Sequence, residues 1–143
     1  MSDKNKKKIL VTGDRPTGNL HLGHYVGTLK NRVELQDSFD CYFLIADLHM
    51  LTTHQDKVAD LKDNIIELVI DWMSVGLDPH KSCFYLQSKI PEISELTVLL
   101  SMLCSVPRIQ RIPTLKEKIT AMNLNDNYSL GLLSYTFLGY FGI

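Results

Sequence analysis

The chain has 143 residues, a length typical of one small domain. It is 45% hydrophobic and 22% charged with a net charge of −1, which supplies enough apolar material for a core and argues against global disorder. The near-zero net charge excludes a uniformly basic nucleic-acid-binding domain, so any positive site has to be local. The apolar stretches are too short to span a bilayer, and we expect no membrane contact.

The cysteines and the basic start of the chain bear on its compartment. Cys41, Cys83 and Cys104 are far apart, odd in number and without a CxxC pair. They favour reduced, mostly buried thiols over a disulfide or zinc framework. Residues 1–8 form a lysine-rich tail followed by only a short apolar run, a pattern unlike a signal peptide. We therefore expect a cytoplasmic protein.

Short apolar runs alternate with helical periodicities along the chain. Continuous apolar runs predict buried strands at residues 9–12, 41–46 and 83–86. Apolar residues at helical spacing predict a helix over 20–36 and a second, amphipathic helix over 58–72 that stops at Gly76. Pro91 suits the first turn of a third helix, predicted to run to about Val106. The stretch 107–128 is polar and weakly periodic.

This alternation predicts an α/β fold over residues 9–143, with a parallel sheet and helices on both faces. Such sheets bind ligands at the carboxyl ends of their strands. That rule selects three stretches of the sequence: residues 13–24, 47–49 and 87–88.

The glycines and histidines after the first strand give the strongest chemical signal. Gly13 and Gly18 permit tight turns and close backbone approach. Gly23 costs a helix roughly 1 kcal/mol relative to alanine, which a nucleotide lying on the helix backbone would offset. His21 and His24 share one helix face, where the helix N-terminus and two imidazoles suit phosphate.

Other interpretations of this stretch are an N-capping turn with two surface histidines and a zinc site. No third metal ligand has helpful spacing, which disfavours zinc. The spacing fits neither a P-loop nor a GxGxxG fingerprint. The position between a first strand and a first helix favours nucleotide binding.

These glycines and histidines also resemble the motif of a known protein family. The stretch PTG followed by HLGH, within residues 16–24, resembles the HIGH signature of class I aminoacyl-tRNA synthetases, which related nucleotidylyltransferases share. Further stretches look like the tryptophanyl-tRNA synthetases, in order and at family spacing. They are VELQ at 33–36, CYF through DLH at 41–49, VGLDP at 75–79, LQS and IP at 86–91, and KEK at 116–118.

The resemblance implies a Rossmann-like nucleotide-binding fold and a tryptophan–tRNA ligase. Its substrates would be ATP with Mg²⁺, L-tryptophan and tRNA(Trp), and the family forms homodimers. By motif match, the implied catalytic residues are His21, His24, Lys116 and Lys118. The implied ATP-binding residues are Gly13, Arg15, Gly18, Gly23 and His24. The implied tryptophan-binding residues are Gly13, His49 and Tyr135.

The residues alone leave other interpretations open for three of these sites. His49 would serve equally well as a loop histidine that caps backbone groups. Lys116 and Lys118 belong to a basic stretch that also reads as a solvated turn. Tyr135 is equally consistent with a core or interface aromatic.

The family pattern breaks after Tyr135. There the family continues with a proline and an acidic residue that recognises the indole nitrogen, whereas residues 136–143 read TFLGYFGI. The sequence also lacks the second half of the nucleotide-binding fold, the KMSKS loop and the anticodon-binding domain. We therefore expect a truncated, incomplete catalytic domain. The alternatives are a non-catalytic nucleotide-binding fragment and a HIGH-type nucleotidylyltransferase.

Overall fold

The computed structural model describes residues 7–125 and 127–140. The basic tail predicted at 1–8 therefore lies outside the described residues, except for Lys7 and Lys8. Three strands follow in the described part: β1 (Ile9–Asp14), β2 (Asp40–Ile45) and β3 (Ser82–Leu86). The helices are α1 (Leu22–His24), α2 (Lys30–Leu35), α3 (Asp47–Met50), α4 (Leu61–Ser74), α5 (Pro91–Ser101), α6 (Val106–Ile109), α7 (Pro113–Ala121) and α8 (Leu130–Tyr140).

The strands form one parallel sheet in the order β1-β2-β3. Gly13 pairs with Leu44 and Leu44 pairs with Tyr85, so the carboxyl ends of all strands meet at one edge. The predicted α/β class and parallel sheet are confirmed. Each strand runs within two residues of its predicted bounds.

The helix predicted at 20–36 is a single helical stretch over residues 22–35. It contains a π-helical turn (Tyr25–Leu29) between α1 and α2, which the periodicity did not reveal. Helix α4 ends as predicted: Gly76 adopts φ +106°, a conformation that favours glycine, and Leu77 N–H donates to the Trp72 carbonyl.

One face of the sheet carries the main core. Phe43 and Trp72 are fully buried, Leu68 packs with them, and Phe84 meets the Trp72 ring edge-to-face at 5.4 Å between centroids. On β1, by contrast, Ile9 and Val11 are each 61% exposed. The face of β1 that carries Ile9 and Val11 is therefore open in the described residues.

A second, smaller core lies among helices α5 to α8. Its buried residues are Ile109, Ile112, Leu115, Leu132 and Leu133. The stretch 107–128, whose sequence is weakly periodic, contains most of α6 and all of α7. The third helix ends at Ser101 rather than near Val106. Each of these short helices has a proline at its first or second position. Tertiary contacts to α8 stabilise helices that are too short to show periodicity.

The cysteines are free thiols in different environments. Cys41 is buried, Cys104 is half-buried and Cys83 is exposed, so the expected burial holds only in part. Among the described helices, none combines the length and the apolar character that a membrane crossing requires.

Candidate functional site

The loop between β1 and α1 is shaped by two glycines. A Cβ atom on Gly13 would overlap the Leu44 carbonyl oxygen, so only glycine allows β1 to approach β2 this closely. Gly18 adopts φ +127°, which side chains on other residues disfavour. Pro16, between them, is fully buried. The loop therefore has a fixed path from the sheet to the helix.

The two histidines cap the helix that follows. Nδ1 of His21 accepts from Gly23 N–H at 3.1 Å, and Nδ1 of His24 accepts from His21 N–H at 3.2 Å. Because both Nδ1 atoms accept, each neutral ring carries its proton on Nε2, where it can donate to a ligand. The capping interpretation is thus observed, and it leaves each imidazole a free donor of the kind that a phosphate requires.

Gly23 has a role that the sequence did not reveal. A Cβ atom there would lie 2.8 Å from Cε1 of the His21 ring. Because Gly23 has no side chain, the His21 imidazole has room to cap the helix. The helix cap therefore accounts for glycine at this position without any bound nucleotide.

A cavity of about 430 Å³ opens at the carboxyl ends of β1 and β2. Its polar lining comes from the loop and from His24 and His49. The full lining is Gly13, Asp14, Arg15, Thr17, Gly18, Asn19, Leu20, His24, Leu44, Ala46 and His49. Its position matches the ligand site expected of a parallel sheet.

His49 is fixed by bonds between the ends of β2 and β3. Its N–H donates to Gln87 Oε1 at 3.1 Å. Asp47, which is buried, accepts from Ser88 N–H and Leu48 N–H at 3.0 Å each. These bonds join the two other stretches that the strand-end rule selected.

A second cavity, of about 530 Å³, lies on the other side of His49. It is lined by His49, Ile112, Pro113, Thr114, Lys118, Tyr135 and Thr136. The His49 and Tyr135 rings are 5.1 Å apart between centroids at 55°. The two cavities therefore share His49, and the second presents aromatic and aliphatic surface beside one cation.

Positive charge is concentrated around His49. Burial, together with the charges of Lys118 and Arg15, lowers the pKa of His49 to about 4. Burial and the charge of Arg15 also lower the pKa of Lys118, while burial and the Asp47 charge raise the pKa of Tyr135. Neutral His49 between two cations makes an environment suited to an anion.

The structure brings most of the predicted site residues to these two cavities. His21 and Gly23 are exposed and lie on the cap beside the first cavity rather than in its lining. Lys118 lines the second cavity, but Lys116 is exposed and lines neither.

Sequence reasoning missed the buried ion pair below the loop. Arg32 is 4% exposed and pairs with Asp14 at 2.7 Å. A signal was present, because Arg32 lies on the helix face of Leu29 and Gln36, which is otherwise buried. A charge on such a face requires a buried partner.

Comparison with known sequences bears on this site. The sequence profile described as tRNA synthetases class I (W and Y) matches residues 3–140. The chain belongs to this family. The tryptophan–tRNA ligase of Chlamydia caviae is 55% identical over 139 residues, which cover 94% of this chain and 40% of that protein.

Solved structures of the family agree. Tryptophanyl-tRNA synthetase from Campylobacter jejuni superimposes with a TM-score of 0.77 at 34% identity, over 92% of this chain and 40% of that one. The same enzyme complexed with ADP and tryptophan gives 0.76 at 34% identity, over 89% and 39%. The chain thus spans about 40% of the length of these family members.

The site makes a testable prediction about acid stability. The His49 pKa is about 4 in the folded chain against an ordinary 6.5, so between these values the unfolded chain binds a proton that the folded chain does not. Stability therefore falls as the pH decreases from about 6.5 to about 4. We expect His49→Gln to reduce this loss, measured as urea midpoints at pH 7, 5 and 4.

The exposed His80 provides the matched control. His80→Gln should leave the pH dependence of the wild-type chain unchanged. Identical curves for His49→Gln and the wild-type chain would contradict the buried neutral state of His49.

Proposed function

We propose that this chain forms the ATP- and tryptophan-binding part of a tryptophan–tRNA ligase. The observation that carries the proposal is the pair of adjacent cavities that share His49. One is built from a glycine-shaped loop at a strand end, and the other from aromatic and aliphatic side chains. Such a pair suits two ligands that react with each other across the shared residue.

The first cavity has the chemistry for the nucleotide. Arg15 contributes a guanidinium held by a bond from Nη1 to Thr53 Oγ1 at 3.1 Å. His24 offers an Nε2–H donor, and Lys118 adds a cation from the neighbouring cavity. These groups would bind phosphate oxygens and stabilise charge that develops on them.

The second cavity would hold tryptophan beside His49 and Tyr135. In the proposed reaction, the tryptophan carboxylate attacks the α-phosphorus of ATP in line, and pyrophosphate leaves with the electron pair of the broken P–O bond. Orientation and electrostatics would carry this step, because no covalent intermediate with the protein is required. Mg²⁺ enters as part of the ATP substrate, since it usually binds through phosphates.

Transfer of the activated tryptophan to tRNA(Trp) completes the proposed activity in the cytoplasm. We also propose a homodimer, through the apolar surface of α5 and the turn after it. Leu99, Met102 and Leu103 are 54%, 74% and 82% exposed there. Contiguous exposed apolar surface of this kind marks interaction sites.

Tryptophan-dependent exchange of radiolabelled pyrophosphate into ATP tests the proposed function on the 143-residue chain. Exchange that is abolished by Tyr135→Ala and retained by the surface variant Lys81→Met would support an adenylation site. Binding of ATP and tryptophan without exchange would restrict the chain to a ligand-binding role. Absence of binding to a folded chain would overturn the proposal.

The two lysines of the KEK stretch should differ in their effect on nucleotide binding. Lys118 is half-buried beside His49, whereas Lys116 is exposed. We expect Lys118→Met to weaken ATP binding roughly tenfold and Lys116→Met by less than about twofold, because a desolvated cation binds phosphate more strongly. Isothermal titration calorimetry measures both, and equal effects would contradict this assignment.

A further inference from the structure

The buried ion pair beneath the nucleotide cavity is an unusually complete cluster. Arg32 donates from Nη1 to Asp14 Oδ2 at 2.7 Å and from Nη2 to Asp14 Oδ1 at 2.9 Å. Trp72 Nε1 donates to the same Oδ2 at 3.0 Å. The guanidinium also lies over the rings of Phe43 and Trp72, 5.8 and 5.9 Å from their centroids. The cluster thus satisfies both carboxylate oxygens and stacks the cation.

The cluster lies where the loop leaves the sheet. Asp14 is the last residue of β1 and also lines the nucleotide cavity. At the other end of the loop, Leu20 N–H donates to Asp71 Oδ2 at 3.0 Å. Asp71 and Trp72 are neighbours on α4, so one helix holds both ends of the loop.

The negative charge of Asp14 matters for ligand binding, because Asp14 lines the nucleotide cavity. A free carboxylate in the wall of a cavity that receives phosphates would repel them. Bidentate pairing with Arg32 neutralises that charge and turns both oxygens toward donors within the protein. The same contacts keep the chain before Arg15 in place.

We propose that Arg32 and Trp72 are positioning residues that hold Asp14 neutralised and fix the 14–20 loop as the wall of the nucleotide cavity. They act through Asp14 and touch no ligand themselves. The inference rests on the proposed function for its ligand, while its structural part, the fastening of the loop, stands apart from any ligand.

The first test separates charge from packing by comparing ATP with adenosine. In Arg32→Met, the unpaired Asp14 carboxylate should weaken ATP binding by roughly tenfold or more and adenosine binding by less than about threefold. Adding Asp14→Asn to that variant removes the charge and should restore most of the ATP affinity. Lys81→Met, which breaks the exposed pair with Asp37, is the matched control and should change neither.

Equal weakening of ATP and adenosine, or no recovery in the double variant, would overturn the role in charge neutralisation. Arg32→Met leaves a buried charge without its partner, so a gentler variant covers the case in which it fails to fold. Trp72→Phe keeps an aromatic ring in the core, removes the indole donor to Asp14 and loses part of the buried ring volume.

Amide hydrogen exchange on Trp72→Phe provides the second test, without any ligand. We expect exchange in residues 15–20 to speed about tenfold while residues 41–45 keep wild-type rates. Unchanged loop exchange, or equal acceleration throughout the sheet, would overturn the inference. If the folded wild-type chain binds neither ATP nor adenosine, the proposed function fails, and the exchange result alone decides whether the cluster fastens the loop.

Discussion

Gly13→Ala is expected to destabilise the chain by about 3 kcal/mol. The new Cβ atom would overlap the Leu44 carbonyl oxygen and lie 2.7 Å from the Leu44 Cβ. Neither backbone atoms nor a Cβ can rotate away, so β1 has to move from β2. Because the loop follows directly from β1, that movement should also weaken ATP binding. Urea unfolding and calorimetric titration measure the two effects.

Gly27→Ala is the matched control for this prediction. A Cβ atom on Gly27 would meet nothing within 4 Å, and the residue is exposed within the helical stretch. Alanine there should leave stability unchanged or raise it by up to about 1 kcal/mol, because it reduces the entropy of the unfolded chain. Similar losses for both variants would show that the strand contact at Gly13 is not the cause.

Phe43→Ala is expected to cost about 4 kcal/mol of unfolding free energy. Phe43 is fully buried and packs edge-to-face on Trp72, 6.1 Å between centroids, with Phe84 at 5.8 Å. The truncated side chain would leave a cavity in the middle of the core and remove the ring beneath Arg32. Chemical denaturation monitored by circular dichroism gives the difference.

Tyr42, the residue before Phe43 in β2, tests whether the two faces of the sheet are packed to different extents. Tyr42 is half-buried and points to the opposite face, on which Ile9 and Val11 of the paired strand β1 are exposed. Tyr42→Ala should therefore cost only about 1 kcal/mol. A loss as large as that of Phe43→Ala would mean that the opposite face is packed in solution.

The strands and the end of α4 could be predicted from the sequence because their signals are local. A buried strand needs only a short apolar run, and Gly76 marks a helix end through its own backbone preference. Helices α6 and α7 gave no such signal. Their few residues are held by tertiary contacts with one another and with α8. Helices this short leave no clear periodicity in the sequence.

The residues of the site also differ in whether a local sequence signal reveals them. The spacing of the loop glycines and of the histidine pair after the first strand is itself a local signal. Residues 13–24 could therefore be predicted as a ligand site. The ion pair of Asp14 with Arg32 joins residues 18 apart, and the bond from Trp72 joins residues 58 apart. Pairing over such separations is set by the packing of α2 and α4 on β1 and cannot be deduced from spacing alone. His49 required both kinds of information, since only the fold shows that it borders two cavities.

The π-helical turn Tyr25–Leu29 determines how the side chains before it are rotated about the helix axis relative to the side chains after it. Each residue of an α-helix advances the side-chain direction by about 100°, and a wide turn interrupts that screw. If the same residues formed a uniform α-helix, the His21 and His24 cap would be rotated by about 100° relative to Arg32. The wide turn therefore sets the relative direction of the side chains at its two ends. One helical stretch can then place imidazoles at the cavity and the Arg32 guanidinium in the core.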